Sequence, residues 1–238
     1  MKKAIVVGAS SGIGEELSRI LSESGYVLGL AARRLELLNK LCNELPNKSF
    51  VKQIDLSNPD AAMCNLTELI DELGGVDLVV IMSGTGEVNP ELQWSIESIC
   101  IATNVVGFAA IANVAINYFL KNKSGHLVGI SSIAAVRGAR YAPAYNASKS
   151  FVSSYLEGLR QKVTNTRYPI TVTDIMPGYI DTDMAKGQKL FWMASVKKAA
   201  AQIYRAIKNK KQHVYVTKRW RLIAWLLKIL PARIYNRF

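Results

Sequence analysis

The chain has 238 residues, of which 50% are hydrophobic, and a formal net charge of +12. This length supports one well-buried domain and leaves little room for a second. Three scattered cysteines without C-x-x-C spacing, and only two histidines, argue against a disulfide framework, a metal site and a histidine-based catalytic triad.

Short apolar segments alternate with helical patterns along the chain. The first segment, AIVVG at residues 4–8, is too short for the apolar core of a signal peptide, so we expect a cytoplasmic protein. Most segments are continuously apolar, as strands buried on both faces of a parallel sheet are. This alternation predicts a single α/β domain, a Rossmann-type doubly wound parallel sheet of about seven strands. The predicted strands are 4–8, 26–31, 49–54, 76–82, 126–130, 170–176 and 213–216, and the predicted helices are 13–24, 34–45, 60–73, 92–119, 144–165 and 195–208.

A glycine-rich turn, GASSGIG at residues 8–14, follows the first predicted strand and opens the first helix. Glycines there permit a tight turn and the close approach of a phosphate, and the helix N-terminus offers free N–H groups to an anion. The G-x-x-x-G-x-G spacing differs from the G-x-G-x-x-G fingerprint but serves the same mechanism. The candidate dinucleotide contacts in this turn are Gly8, Ser10, Ser11, Gly12, Ile13 and Gly14.

The end of the second strand indicates which dinucleotide is preferred. An acidic residue about 20 positions after the glycines takes the ribose hydroxyls in NAD sites, whereas an arginine accommodates the 2′-phosphate of NADP. This chain has Arg33 and Arg34 there and no acid. Two arginines that merely opened a helix would oppose its dipole. We therefore predict NADP(H) as the preferred cofactor and NAD(H) as the alternative.

Tyr145 and Lys149, in AYNASKSF at residues 144–151, are four positions apart on a predicted helix. Their side chains therefore lie on one face. A lysine charge beside a phenol favours the phenolate and lowers its pKa, which lets the tyrosine exchange a proton near neutral pH. The alternative is that the two residues only share a helix surface.

With these motifs in order, residues 1 to about 217 resemble the short-chain dehydrogenase/reductase family. The motifs that carry the resemblance are GASSGIG, QIDLS, the asparagine of the long helix, ISS, YNASK and PGYIDT. The resemblance implies an NADPH-dependent oxidoreductase that moves hydride between the nicotinamide and a carbonyl or secondary alcohol. It also implies cofactor contacts at Asp55, which would hold the adenine amino group, and at Leu56, Pro177, Gly178, Ile180 and Thr182.

The resemblance assigns four catalytic roles. Tyr145 is the general acid or base, and Lys149 lowers its pKa and holds the nicotinamide ribose. Ser132 donates a hydrogen bond to the substrate oxygen, where charge develops. Asn104 would hold a water that links Lys149 to solvent. The structural alternatives are that Ser132 caps a strand end and that Asn104 braces a helix kink.

One motif departs from the family pattern. Residues 81–84 read IMSG where the family has N-N-A-G. Ser83 and Gly84 still present backbone to the cofactor ribose, but Ile81 and Met82 lack the asparagine hydrogen bonds that brace strand four. We expect an effect on local rigidity. A catalytically weak NADP(H)-binding regulatory protein is the alternative function.

The segment DMAKGQKLFWM, residues 183–193, is predicted to form part of the substrate wall. Its apolar end suits a hydrophobic, lipid-like carbonyl or alcohol. The alternative is that these side chains pack on the body of the domain. The apolar residues are Leu190, Phe191, Trp192 and Met193.

Residues 218–238 are predicted to form a basic tail beyond a domain of residues 1–217. From residue 184 to the end there are 14 lysines and arginines and no acid. A stripe at helical spacing predicts an amphipathic basic helix. This helix either contacts an anionic membrane at its inner face or packs in a homodimer or homotetramer, and the thin aromatic interleaving argues against nucleic acid. The stripe is Trp220, Ile223, Leu227 and Leu230.

Overall fold

Seven parallel strands form one sheet in the part of the chain that the computed structural model describes, residues 1–182 and 191–236. Their order across the sheet is β3-β2-β1-β4-β5-β6-β7. The predicted doubly wound parallel sheet is confirmed. The strands are β1 (Lys3–Val7), β2 (Val27–Ala32), β3 (Ser49–Gln53), β4 (Leu78–Ile81), β5 (Gly125–Ile130), β6 (Ile170–Pro177) and β7 (His213–Val216).

The helices lie close to their predicted positions. They are α1 (Gly12–Glu23), α2 (Leu35–Glu44), α3 (Pro59–Glu72), α4 (Trp94–Ile101), α5 (Phe108–Asn122), α6 (Pro143–Thr164), α7 (Val196–Lys208), α8 (Trp220–Ile229) and α9 (Ala232–Tyr235). A π-helical turn, Ala102–Gly107, joins α4 to α5. The resulting continuous helix, Trp94–Asn122, is long and apolar enough to span a bilayer, yet Phe108 and Phe119 are buried in the core of the domain.

Two apolar cores cover the two faces of the sheet, as side-chain alternation along the strands requires. Ile5 and Val7 of β1 face a layer formed by α3, α5 and α6. Ala4 and Val6 face the opposite layer, formed by α1, α2 and α7. Because both faces are covered, the strands are continuously apolar, which explains the pattern in the sequence.

The strand order reverses between β1 and β4. The chain runs outward from β1 to β3 and then crosses back to β4, which pairs with β1 on its other side. The carbonyl of Val7 accepts hydrogen bonds from the backbone N–H groups of Met82 and Ser83, at 2.7 and 3.0 Å. The loops that follow β1 and β4 therefore diverge from one point, and a crevice opens between them.

Helix α8 packs on the domain. Trp220 and Ala224 are almost completely buried, against Ile133 and Tyr179. The Arg137 guanidinium donates hydrogen bonds to the last carbonyls of this helix, those of Leu227 and Leu230, and the Tyr235 hydroxyl donates one to the Gly138 carbonyl. The predicted stripe therefore turns toward the protein.

We expect substitution by alanine to destabilise the protein at one tryptophan of α8 and to have little effect at the other. Trp220 is 2% exposed and Trp225 is 64% exposed. Trp220→Ala should lower the free energy of unfolding by about 3 kcal/mol, because it removes a large buried ring. Trp225→Ala should change it by less than about 0.5 kcal/mol. Urea unfolding followed by circular dichroism measures both, and equal effects would contradict the packing of α8.

Candidate active site

A cavity of about 1060 Å³ lies at the carboxyl ends of β1, β4, β5 and β6. Its volume lies just above the usual range of about 300–1,000 Å³ for ligand sites. Asn104 lies outside its lining, whereas the other residues predicted for the site line it. These are Gly8, Ser10, Ser11, Gly12, Ile13, Gly14, Arg33, Arg34, Asp55, Leu56, Ser83, Gly84, Ser132, Tyr145, Lys149, Pro177, Gly178, Ile180 and Thr182.

The glycine-rich turn is packed too tightly for side chains. Gly8 has φ +100°, and a Cβ atom on it would lie 2.6 Å from the backbone nitrogen of Ser83. A Cβ atom on Gly14 would lie 2.1 Å from the Gly8 carbonyl oxygen. Helix α1 begins at Gly12, and the side chain of its N-cap residue Ser11 makes no capping bond. The positive end of this helix is therefore presented to the cavity.

Arg34 lies across the glycine-rich turn. Its Nη2 atom donates hydrogen bonds to the hydroxyls of Ser11, at 2.7 Å, and Ser10, at 3.1 Å. Arg33 is exposed beside it at the cavity rim. Two guanidinium groups next to helix N–H groups could hold an anion, since planar donors of this kind suit phosphate. The bonds from Arg34 to the serines were not foreseen, because they join segments 23 and 24 residues apart.

Asp55 follows β3 at the other side of this pocket. Its Oδ1 atom accepts hydrogen bonds from the backbone N–H and the hydroxyl of Ser57, at 2.9 and 2.8 Å. These two bonds fix the orientation of the carboxylate. The neighbouring Leu56 carbonyl approaches Gly107, where a Cβ atom would lie only 2.1 Å away. The turn after β3 is thereby held against the start of α5.

Asn104 lies behind the cavity wall, in the π-helical turn. Its Oδ1 atom accepts a hydrogen bond from the Thr85 backbone N–H at 2.9 Å, and its Nδ2 atom donates to the Thr85 carbonyl at 2.6 Å and the Ser148 hydroxyl at 3.0 Å. This amide ties the segment after β4 to α6, so the IMSG segment is braced from the helix. The water-relay role of Asn104 and the alternative that it braces a helix kink both stay predictions.

The segment with Ser132 is fixed to the helix that carries Tyr145. The Ser132 hydroxyl accepts a hydrogen bond from the Ala134 backbone N–H at 3.1 Å and caps a short 3₁₀ helix, Ile133–Val136. The Asn146 side chain donates to the carbonyls of Ala134 and Arg137, at 3.0 and 2.7 Å. Asn146, which the sequence reasoning passed over, therefore holds the segment after Ser132 against the start of helix α6.

Tyr145 and Lys149 lie on one face of α6, as their spacing predicts. Pro143 occupies the first turn of this helix and places Tyr145 at its start. The Tyr145 ring packs on Gly86, where a Cβ atom would lie 2.2 Å from the ring. The Lys149 Nζ atom is 5.8 Å from the ring centroid and donates a hydrogen bond to the Ile130 carbonyl at 3.0 Å.

The pKa values of this pair are governed by burial. Burial lowers the pKa of Lys149 to about 8, while Cys100 and Asp174 act in the opposite direction. Burial raises the pKa of Tyr145 above its ordinary value, and the hydrogen bond with Ser132 acts to lower it. The expectation that the phenol pKa lies below its ordinary value is wrong for this structure, because desolvation exceeds the stabilisation of the phenolate.

Asp174 is a buried carboxylate behind the pair, and the sequence reasoning missed it. It accepts hydrogen bonds from the hydroxyls of Ser131, next to Ser132, and Ser153, one turn after Lys149. His213 Nδ1 lies 3.3 Å from its second oxygen. A buried carboxylate must be satisfied by such donors. Asp174 thereby joins β5, α6 and β7 beneath the site.

The far end of the cavity is apolar and aromatic. Trp220 lies 5.0 Å from Tyr179 and 5.4 Å from Phe191, measured between ring centroids. Ile223 and Leu227 of α8 line the same end. The predicted substrate wall is therefore extended by α8, which the sequence reasoning placed outside the domain.

The three other predicted wall residues have different positions, and Met193 is half-buried outside the cavity lining. Trp192 packs on Trp220 but is 45% exposed and lies outside the cavity lining. Leu190 lies outside the described residues, with the rest of residues 183–190.

A model of the short chain dehydrogenase family matches residues 2–192. The chain belongs to this family. An uncharacterized oxidoreductase of Mycobacterium tuberculosis is 32% identical over 248 residues, which covers 100% of this chain and 97% of that protein. Short-chain dehydrogenases are oxidoreductases, and so is this protein. The predicted family and the predicted oxidoreductase class are confirmed.

Two solved structures share the fold of this short-chain dehydrogenase. One is a short chain dehydrogenase/reductase from Burkholderia phymatum in complex with NAD, with TM-score 0.86, 19% identity and coverage of 94% of this chain and 92% of that chain. The other is a short-chain dehydrogenase from Sphingobium yanoikuyae in complex with NADPH, with TM-score 0.81, 19% identity and coverage of 98% and 97%.

The burial of Lys149 predicts a specific dependence of stability on pH. In the unfolded chain its pKa is 10.5, and in the folded chain it is about 8. Between these values the unfolded state binds more protons, so the contribution of Lys149 to the free energy of unfolding rises with pH. Below pH 8 the folded state carries the full cost of the buried charge, about 3 kcal/mol.

Lys149→Met serves as the matched variant. The difference in free energy of unfolding between wild type and Lys149→Met should shift in favour of wild type by up to about 3 kcal/mol from pH 8 to 10.5. Denaturant titrations at each pH measure this difference, in which all other titrating groups cancel. A difference that stays constant over this range would refute the lowered pKa.

Proposed function

We propose that this short-chain dehydrogenase is an NADPH-dependent oxidoreductase that interconverts a carbonyl and a secondary alcohol on an apolar, lipid-like substrate. One observation carries the proposal. A single cavity joins the arginine-flanked glycine turn, the Ser132–Tyr145–Lys149 group and the aromatic wall at Trp220. An anion site, a proton-transfer group and an apolar surface in that order match a phosphorylated dinucleotide followed by an apolar substrate.

The cofactor proposal rests on the two arginines. The fold neighbours include one complex with NAD and one with NADPH, so the fold supports either dinucleotide. Arg34 lies on the hydroxyls of Ser10 and Ser11, and Arg33 stands beside it. No acidic side chain occupies the end of β2 in the sequence. Asp55 would hold the adenine, and Thr182, whose methyl group lies near Gly12, would close the far side.

In the proposed mechanism the nicotinamide, when bound, supplies or accepts a hydride. Tyr145, whose pKa is raised, stays protonated at neutral pH and donates its proton to the carbonyl oxygen during reduction. The Ser132 hydroxyl donates a hydrogen bond to the same oxygen as charge develops. During oxidation Tyr145 first releases its own proton to solvent, and the resulting phenolate then takes the alcohol proton. Lys149, still mostly charged at neutral pH, holds the ribose hydroxyls and stabilises a phenolate when it forms.

We propose that Asn104 does not contact the reacting atoms but positions the segments that carry them. Its amide is committed to Thr85 and Ser148. We therefore assign it first to positioning the segment after β4 and helix α6. We propose that the water that would connect Lys149 to solvent is held by the π-helical turn that contains Asn104.

The proposed partners are an apolar carbonyl or alcohol and further copies of the chain. Exposed apolar side chains along α4 and the π-helical turn, which include Trp94, Ile99 and Val106, provide a surface for a homodimer or homotetramer. Residues 218–238 are proposed to contact an anionic membrane.

The activity is tested by a screen of ketones and aldehydes, from small to long-chain, followed at the nicotinamide absorbance. If no class of carbonyl is turned over, the result favours the regulatory alternative.

Cofactor preference should depend on Arg33 and Arg34. Each charge-assisted hydrogen bond to the 2′-phosphate contributes about 1.5–3 kcal/mol, so Arg33→Ala should weaken NADPH binding roughly ten- to a hundredfold. NADH affinity should be nearly unchanged, because NADH lacks this phosphate. Titration calorimetry with both cofactors measures the ratio. Arg34→Ala should affect NADPH similarly and NADH slightly, through its serines.

A wild type that prefers NADH would overturn this assignment. So would an equal loss of both cofactors in Arg33→Ala.

Tyr145→Phe should retain the fold and the cofactor affinity but lose turnover by about 10²–10⁴-fold, the usual contribution of general acid catalysis. Lys149→Ala should reduce both turnover and cofactor affinity, because the lysine has two roles. Steady-state kinetics and cofactor titration on the same preparations separate the two variants. Near wild-type kcat in Tyr145→Phe would remove this residue as the proton donor.

A further inference from the structure

The outward face of α8 is apolar although it is exposed. Leu222, Trp225, Leu226 and Ile229 recur at i, i+3, i+4 and i+7, and between 50% and 71% of each is accessible. This spacing places the four side chains on one helix face. They lie opposite Trp220 and Ala224, which are buried against the domain. A clustered apolar surface of this kind marks a binding site.

Exposed cations surround this face. No acidic residue lies near them in the sequence, because the last acidic residue is Asp183. The ion pairs within the described residues lie elsewhere, on α1 with α2, on β3 with α3 and between β6 and β7. The cations of this surface are Lys218, Arg219, Arg221, Lys228 and Arg233.

We propose that the outward face of α8 docks on an anionic lipid surface. The alternative occupant, a second copy of the chain, would bring two identical sets of cations together, and like charges across an interface oppose association. An anionic leaflet instead neutralises them, and each lysine or arginine near it strengthens binding roughly fivefold. Trp225 and the three aliphatic side chains then insert at the headgroup boundary, as in interfacial amphipathic helices.

The opposite face of the same helix lines the cavity in which we propose that the substrate binds. Ile223 and Leu227 line the far end of the cavity. With α8 docked, a ten-residue helix lies between the lipid surface and this apolar end of the cavity. We therefore assign the substrate to the class of membrane-dissolved carbonyls and alcohols. This assignment rests on the proposed function, whereas the docking itself does not.

The docking is tested by flotation of full-length protein with vesicles. Vesicles of phosphatidylcholine alone are compared with vesicles that contain phosphatidylglycerol, at about 0.1 M and about 1 M salt, where the screening length falls to about 3 Å. We expect binding to the anionic vesicles at low salt only. Arg221→Gln with Lys228→Gln should weaken it about 25-fold, the product of two cations.

Two double variants of matched chemistry distinguish the contribution of the outward face of α8 to vesicle binding from that of another exposed apolar surface. Leu222→Gln with Trp225→Gln should reduce vesicle binding at least about tenfold, because it removes the inserting side chains. Trp94→Gln with Ile99→Gln, on the exposed face of α4, should leave vesicle binding unchanged. Light scattering on all preparations reports the oligomeric state.

Failure of full-length protein to bind anionic vesicles would overturn the docking. So would an α8 double variant that breaks the oligomer while vesicle binding persists, because the face would then be a subunit interface. Tyr145→Phe should float like wild type. A failed turnover assay therefore leaves the docking standing, and a failed flotation leaves the activity on water-soluble ketones standing.

Discussion

The site is built around one costly group, the buried ammonium of Lys149. Removing this charge from water lowers its pKa to about 8, and the protein keeps it in place with the Ile130 carbonyl as a direct acceptor and the Asp174 carboxylate as a nearby countercharge. Both partners come from adjacent parallel strands, β5 and β6. The position of the lysine therefore depends on the correct pairing of the sheet, and the chemistry is available only in the folded chain.

Side chains that never reach the cavity hold the elements around this lysine. Asp174 connects Ser131 of the strand end with Ser153 of α6. On the other side, the Asn104 amide connects the segment after β4 with Ser148 of the same helix. Helix α6 is thus anchored on both sides of Lys149 by buried polar groups. Such a network is rigid when every member is satisfied, and the proton transfer that we propose requires groups held in fixed positions.

Much of this arrangement was predictable from the sequence. Continuous apolar runs identify strands covered on both faces, and the ordered motifs locate the glycine turn, Ser132, Tyr145 and Lys149. The interactions between distant segments were not predictable, since Arg34 with Ser11 and Asn104 with Thr85 depend on tertiary approach. The sequence also did not predict which face of α8 packs against the domain. Both of its faces carry apolar residues at helical spacing, and periodicity alone does not distinguish the face that meets the domain.

Trp220 limits which substitutions this enzyme can accept around the cavity. Its indole occupies space that any side chain at Gly178 would fill, so these two positions are coupled. Replacement of Trp220 alone would leave a void beside Gly178 and disturb the cavity wall on both sides of it. Ile223 and Leu227 are only partly buried and line the cavity without that coupling. If the substrate binds at this end of the cavity, as we propose, its range can change through these two positions while the indole keeps the fold intact.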